Sequence, residues 1–287
     1  MVLHWILASQ DGWNQTNRIG YLFETFLFST VWDDVMKIVS LAPSATEVLY
    51  ALGAGDAIVA NTRFCDYPPE ARDKPKVGGW TDINDKLVLK YNPDLIVTSS
   101  FLQNDIVARF KDKGKLVYHT DPRTLMDVFD SVLSISRALG RTVKGREVVD
   151  TMKQGILQVA AKMKDADSRP KVYVEEWHRP PMVSGNWVTE LVDIAGGEPL
   201  LTKGKPSREV ALNELVGWNP DIIILSWCGF GMKANADEVK MRDGWQFMNA
   251  IKNDQVFVID DSLLNRPGPR LADGAKLLAR MVHPEMF

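Results

Sequence analysis

The chain has almost no cysteine: Cys65 and Cys228 are the only two in 287 residues. Two thiols with no CxxC pair exclude a disulfide framework and a zinc ribbon. Histidine is nearly as scarce. His4, His119, His178 and His283 are scattered, so no clustered zinc or manganese ligand set is readable. Neither sign of charge dominates: 34 Lys and Arg stand against 37 Asp and Glu, a net charge of −3. That excludes the basic footprint of a nucleic-acid binder. No apolar run approaches the roughly 18 residues of a spanning helix. A P-loop, a dinucleotide fingerprint and a nucleophile elbow are also missing, so no motif of enzyme chemistry is present. What remains is an ordinary soluble composition, 45% hydrophobic and 25% charged, at a length that suggests about two domains.

Residues 1–35 do not fit the rest. Their only cation is Arg18, against Asp11, Glu24, Asp33 and Asp34, and the best apolar stretch, residues 19–28, is broken by Glu24. A secretory signal needs a basic start and an unbroken apolar core. The segment reads as an appended leader or as translation from too early a start, with Met36-Lys37 opening a clean strand. Export is not supported, and the chain reads as cytoplasmic.

What is there in abundance is an internal echo. KIVSL (37–41) is followed by TEVLYALGAGDAIVA (46–60), NDKLVLKYNPDLIVTSS (84–100) and GKLVYHTD (114–121). KVYVEEW (171–177) is followed by TELVDIAGGEPLLTK (189–203), LNELVGWNPDIIILSW (212–227) and NDQVFVIDD (253–261). Each copy reads strand, helix, short strand, helix, strand, helix, strand. The runs after Pro93 and Pro220 are short, uniformly apolar and β-branched, as in strands buried on both faces. Strands alternating with helices predict parallel βαβ units. Ser44 and Glu47 have the spacing of a capping box, and Gly53 and Gly196-Gly197 mark helix ends.

The expected fold is therefore α/β: two Rossmann-like lobes with central parallel sheets, joined by a long backbone helix. The boundaries are a leader at 1–35, an N-terminal lobe at 36–123, a helical linker at 124–166 and a C-terminal lobe at 167–287. In the linker, Val148, Val149, Met152, Ile156, Val159 and Met163 recur at helical spacing, which predicts a stiff strut. Parallel sheets bind ligands at the carboxyl ends of their strands. The lobes are thus expected to face a shared cleft, lined from Ala42-Pro43-Ser44, Ser99-Ser100-Phe101, His119, Glu176-Trp177-His178, Trp227-Cys228 and Asp260-Asp261. Aromatic residues there suit a large, flat, partly apolar ligand.

These features together resemble the helical-backbone class of solute-binding proteins of ABC importers, which take cobalamin, haem or siderophores. The resemblance covers residues 36–287 and rests on KIVSLAPSATEVLYALG, the DYPPEA turn, GGW (78–80), the two NPD strands, PPMVSGNWVTELVDIAGG (180–197) and NRPGPRL (265–271). DYPP with GGW, and SGNW with AGG, look most like the cobalamin-binding branch. CDYP, NRPGPR and HPEMF (283–287) look like a sub-branch that often lacks a signal peptide. The resemblance implies a non-enzymatic protein that binds a corrinoid, needs no cofactor of its own, works as a monomer and delivers to an ABC permease outside the cytoplasm. It implies ligand contacts from Tyr67, Trp80, Phe101 and Trp177, and from Asp261 with a register uncertain by one residue. A further aromatic of the family falls near Ser207 here, so Trp187 or Trp227 is expected to supply that contact. Importer docking in the family uses a Glu in each lobe, where this chain has Lys86 and Asn213, with Asp85 and Glu214 adjacent. Two alternatives stay open: a ferric siderophore or haem ligand, or a cytosolic corrinoid-handling protein or enzyme on the same fold.

Individual residues also carry plainer readings. FCDYPPEA (64–71) is expected to be a proline-stiffened turn that presents Tyr67, with Cys65 a small packed residue. His178 is a weak candidate metal ligand, set against a solvated loop histidine. Arg266 either reaches an anionic group of the ligand or, with Arg270, packs the last helix.

Overall fold

The computed structural model describes residues 36–287. The expectations for residues 1–35 therefore lie outside the described residues. The described chain divides into two compact units. The first runs to His119 and adds Ser134–Gly145; the second holds Thr120–Leu133 and Arg146–Phe287.

The first unit is built on β1 (Ile38–Ser40), β2 (Ile58–Asn61), β3 (Leu95–Ser99) and β4 (Val117–Thr120), in the order β2-β1-β3-β4. Strand β1 runs parallel to both β2 and β3. All five residues of β3 are buried, as its β-branched composition predicts for a strand covered on both faces. Helices α1 (Pro43–Ala51), α2 (Asp85–Lys90) and α3 (Asn104–Asp112) belong to this unit. Val39, Leu41, Ile96, Ile106 and Phe110 form its core.

Two longer helices follow: α4 (Leu125–Ala138) and the 21-residue α5 (Thr142–Lys162). At 1.5 Å per residue, α5 is about 31 Å long, as the apolar spacing predicts. Val149, Met152, Ile156 and Val159 form its buried stripe, which Met163 continues one residue past its end. The division between units falls within both helices.

The second unit repeats the topology. Its strands are β5 (Lys171–His178), β6 (Pro181–Val183), β7 (Glu198–Pro199), β8 (Arg208–Glu209), β9 (Ile222–Leu225) and β10 (Val256–Val258). The path β7-β5-β9-β10 reproduces β2-β1-β3-β4, and all of its pairings are parallel. This sheet is mixed rather than purely parallel, because the antiparallel strands β6 and β8 extend it beyond β5. The helices are α6 (Val188–Ile194), α7 (Leu212–Trp218), α8 (Ala236–Lys240), α9 (Asn249–Lys252), α10 (Asp261–Leu264) and α11 (Leu271–Val282). Among the described residues, no helix is long and apolar enough to cross a membrane.

The twin NPD motifs turn out to be strand clasps. Asn92 and Asn219 adopt left-handed φ of 44° and 55°, a conformation asparagine tolerates, and the proline that follows prevents the helix from continuing. The aspartates then lock the neighbouring strand. Asp94 Oδ2 accepts from Lys37 N at 2.8 Å, and Asp221 Oδ2 accepts from Lys171 N at 2.9 Å. In each case the aspartate N–H donates back to the lysine carbonyl at 2.9 Å. The same clasp thus starts the first strand of both sheets.

One local expectation fails. Helix α1 begins at Pro43 with Ala42 as its N-cap and no side-chain cap, so Ser44 lies inside the helix and makes no capping box. Proline at the first helical position supplies the start signal instead.

Candidate functional site

In the first unit the residues at the strand ends are held by Gln103, which is fully buried. Its side-chain oxygen accepts from Ser99 N at the end of β3 (2.9 Å). Its amide nitrogen donates to Leu41 O just past β1 (2.8 Å) and to Trp80 O (2.7 Å). One neutral side chain therefore ties two strand ends to the loop that carries a predicted ligand residue. The GGW turn is tight for a steric reason: Gly78 has φ +136°, and a Cβ there would sit 2.4 Å from Asp82 O.

The turn of residues 64–71 is rigid, as expected. Lys76 Nζ donates to Asn61 Oδ1 at 2.7 Å and to Ala71 O at 2.9 Å, and Asn61 Nδ2 donates to the same carbonyl. Burial lowers the Lys76 ammonium from its ordinary range, and nearby Cys65, Asp66 and Asp73 pull it back. Cys65 is a packed residue at 1% exposure, with Thr46 and Thr62 hydroxyls 3.1 and 3.2 Å from its sulfur. Burial raises its thiol, so it is a poor nucleophile. Tyr67 is 44% exposed and Phe101 49%, while Trp80 is half-buried.

In the second unit, four rings pack at the carboxyl ends of β5 and β9. The His178 ring stacks on Trp227 (centroids 4.6 Å apart, planes at 25°) and meets Phe230 edge-on at 5.2 Å. Trp177 tilts against His178 at 5.1 Å and meets Phe230 edge-on at 6.1 Å. Beneath them lies a buried charge. Glu175 accepts two hydrogen bonds from Arg242 (2.7 and 2.9 Å), one from Trp227 Nε1 (2.9 Å) and one from Tyr173 Oη (3.1 Å). Burial and that carboxylate push the Tyr173 hydroxyl well above its ordinary range.

Several residues predicted to touch ligand are buried and make hydrogen bonds within the second unit. Trp227 is 2% exposed and Trp187 8%, and the Trp187 Nε1 donates to Leu264 O at 2.7 Å. Their N–H groups are satisfied inside the unit, Trp227 Nε1 by Glu175 Oε1 at 2.9 Å. Asp261 is also internal: its two oxygens accept from Gly229 N (2.9 Å) and Gly231 N (2.8 Å), which fixes the loop after β9. Arg266 is half-buried. His178 Nδ1 is buried without a partner, and among the described residues no group of three or more His, Cys, Asp and Glu is placed to hold a metal. A metal-bound histidine ordinarily donates its other N–H to an acceptor, and His178 lacks one for Nδ1.

The motifs around these residues are structural. In SGNW, a Cβ on Gly185 would lie 2.3 Å from Lys205 O, so only glycine permits the approach. Asn265 of NRPGPR donates to Ser226 O at 2.6 Å and to Cys228 Sγ at 3.3 Å, which fixes the end of β9. Gln103, Phe230 and Glu175 escaped the sequence reading as site residues. Glu176 was read only as part of the strand end that lines the cleft, without a role of its own.

Lys86 and Asn213 are both exposed, and the acids beside them are already engaged. Asp85 is bound by Arg109 at 2.9 Å and Lys113 at 3.0 Å. Partial burial pushes its carboxyl up, but those hydrogen bonds outweigh it and leave it below the ordinary value. Glu214 is held bidentately by Arg208, whose hydrogen bonds lower its carboxyl.

Residues 38–263 match the family described as periplasmic binding protein. An uncharacterised ABC transporter substrate-binding lipoprotein of Bacillus subtilis is 31% identical over 90% of this chain and 83% of its own length. A vitamin B12-binding protein of Vibrio cholerae is 28% identical over 84% of this chain and 86% of its own length. A periplasmic haem-binding protein of Pseudomonas aeruginosa superposes with a TM-score of 0.77 at 19% identity, covering 87% of this chain and 93% of the other. That last likeness concerns the fold. With the duplicated strand order, the helical backbone segment and a match over most of the described residues, the chain belongs to the periplasmic binding protein family.

Proposed function

We propose that this protein binds a corrinoid of the cobalamin type as the substrate-binding component of an ABC uptake system, using the strand-end surfaces of its two units. One observation carries the reading. Rings gather at the strand ends of both units, with Tyr67 and Phe101 exposed, Trp80 half-buried, and Trp177 and Phe230 packed edge-on. Large flat ligands are held mainly by burial of ring area, with a few polar groups setting orientation. The similarity to a vitamin B12-binding protein supports the corrinoid over other flat ligands. Thiols raised by burial at Cys65 and Cys228 support binding without covalent chemistry. Engagement of Asp85 and Glu214 by cations of their own units supports docking to a permease by other contacts.

The test is titration of the full chain with cyanocobalamin and hydroxocobalamin, followed by visible absorbance and calorimetry, with haem and a ferric catecholate in parallel. One-to-one cobalamin binding, weakened about tenfold by Trp80→Ala, is the expected result. A Soret shift with haem and silence with both cobalamins would replace the corrinoid with haem.

A further inference from the structure

Two adjacent glutamates end strand β5, and their surroundings differ sharply. Glu175 is fully buried and saturated by four donated hydrogen bonds. Glu176 remains partly exposed, and among the described residues its carboxyl has one hydrogen-bond partner: Ser207 Oγ donates to Oε2 at 2.5 Å. Ser207 is itself fixed, accepting from Gly185 N at 3.0 Å. Among the described residues Oε1 has no hydrogen-bond partner, although Glu176 stands at the strand end directly before Trp177 and His178.

The titratable and charged groups on the elements around this strand end set its chemistry. From the chain after β9 comes Cys228, whose N–H donates to Glu176 O at 3.1 Å. From the start of α10 comes Asp261, already held by two backbone N–H groups. Ser207 reaches it from the loop before β8, which also carries the exposed Lys205, and Arg208 on β8 is paired with Glu214. Beyond the strand end, Arg179 is paired with Glu238 at 2.8 Å, and His178 lies among the rings. Among the described residues no cation hydrogen-bonds to Glu176. Burial raises its carboxyl, Ser207 lowers it again, and the net shift is upward. Cys228 is raised by burial and then by Glu176 and Asp261, so two acids and a thiol share this corner without a counter-ion. A half-satisfied carboxyl here lacks an N–H donor on one side, and a second anion brought there would be repelled.

Building on the corrinoid reading, we infer that Glu176 is a specificity-determining residue: its unpartnered oxygen accepts an N–H from a neutral carboxamide of the ligand and rejects a carboxylate at that point. The chemical class selected is an amide-rimmed macrocycle, and the class excluded is its acid-rimmed counterpart. Because the ligand N–H favours the ionised form, binding strengthens as pH rises through the raised carboxyl value.

The experiment uses the full chain with two probes that share a chromophore, dicyanocobinamide and dicyanocobyrinic acid. Glu176→Gln keeps the shape and removes the charge, and Ser207→Ala removes the one fixed partner. Wild type is expected to prefer the amide probe, with affinity rising with pH. In Glu176→Gln the amide-to-acid preference should shrink about tenfold and the pH dependence should flatten. In Ser207→Ala the binding midpoint should move to higher pH, which keeps the test alive if the Gln variant misfolds. Unchanged preference and pH profile in both variants overturn the role of Glu176 while leaving the corrinoid reading intact. Binding of neither probe nor cobalamin by wild type overturns that reading, and this inference with it.

Discussion

In the first unit the strand ends are tied by a neutral amide, Gln103, which links Leu41, Ser99 and Trp80. In the second they are tied by charges, with Glu175 bound by Arg242 and Trp227, and Asp261 clamping the loop after β9. The aromatic residues follow the same division. Tyr67 and Phe101 are exposed, whereas Trp177, His178, Trp227 and Phe230 are packed on one another. A duplicated topology has thus been given two different site chemistries. One presents exposed rings near a neutral amide tie; the other is a prestacked aromatic patch over a buried ion pair. In the second, Glu175, Glu176 and Asp261 all stand at or just past strand ends.

The largest effect that breaks this comparison is expected from Glu175→Ala. It strands the Arg242 guanidinium and frees the Trp227 and Tyr173 donors, so the loss should be about 3–5 kcal/mol. Urea unfolding checks it, with the tryptophan signal of the patch lost in the same transition. A loss under about 1 kcal/mol would mean that Arg242 finds water and that the charged tie contributes little. Gln103→Ala is the neutral counterpart. It removes three hydrogen bonds at roughly 1 kcal/mol each, so about 2–3 kcal/mol is expected. Because Trp80 is released, corrinoid affinity should fall as well. Equal losses in the two variants would erase the distinction between neutral and charged ties.

The fold was legible where one physical cause dominated. The apolar Leu95–Val97 and Ile222–Leu225 runs after the two Pro-Asp pairs gave no alternating polar face, which points to buried strands, and the apolar stripe from Val149 to Met163 marks a long helix. The antiparallel strands β6 and β8 were not legible, because segments of three and two residues carry no periodicity. The site was harder to read. Trp187 and Trp227 resemble Trp177 in the sequence, and only packing shows that their N–H groups are satisfied internally by Leu264 and Glu175. Asp261 looks like a ligand-facing acid until its two oxygens are found on Gly229 and Gly231. Sequence marks which residue types stand at a strand end, but burial decides which of them face outward.

The smallest effect sharpens the contrast between Glu175 and Glu176 in the absence of ligand. Burial raises the Glu176 carboxyl above the value it has in the unfolded chain. Between those two values the folded state holds a proton that the unfolded state has released. Stability from this group is therefore present in full below the unfolded value and is lost as pH rises through the folded one. Glu176→Gln removes that slope. The thermal midpoint of the variant minus that of wild type should thus increase as pH rises from about 4 to about 8. Asp85 and Glu214, whose hydrogen-bonded cations lower their carboxyls, push stability the opposite way, but they are common to both proteins and cancel in the difference. Glu175→Gln gives the control: it loses the Arg242 pair and should be less stable than wild type across the same range. If the Glu176→Gln difference were flat with pH, Glu176 would titrate as an ordinary exposed acid, and only Glu175 would distinguish the chemistry of the second unit.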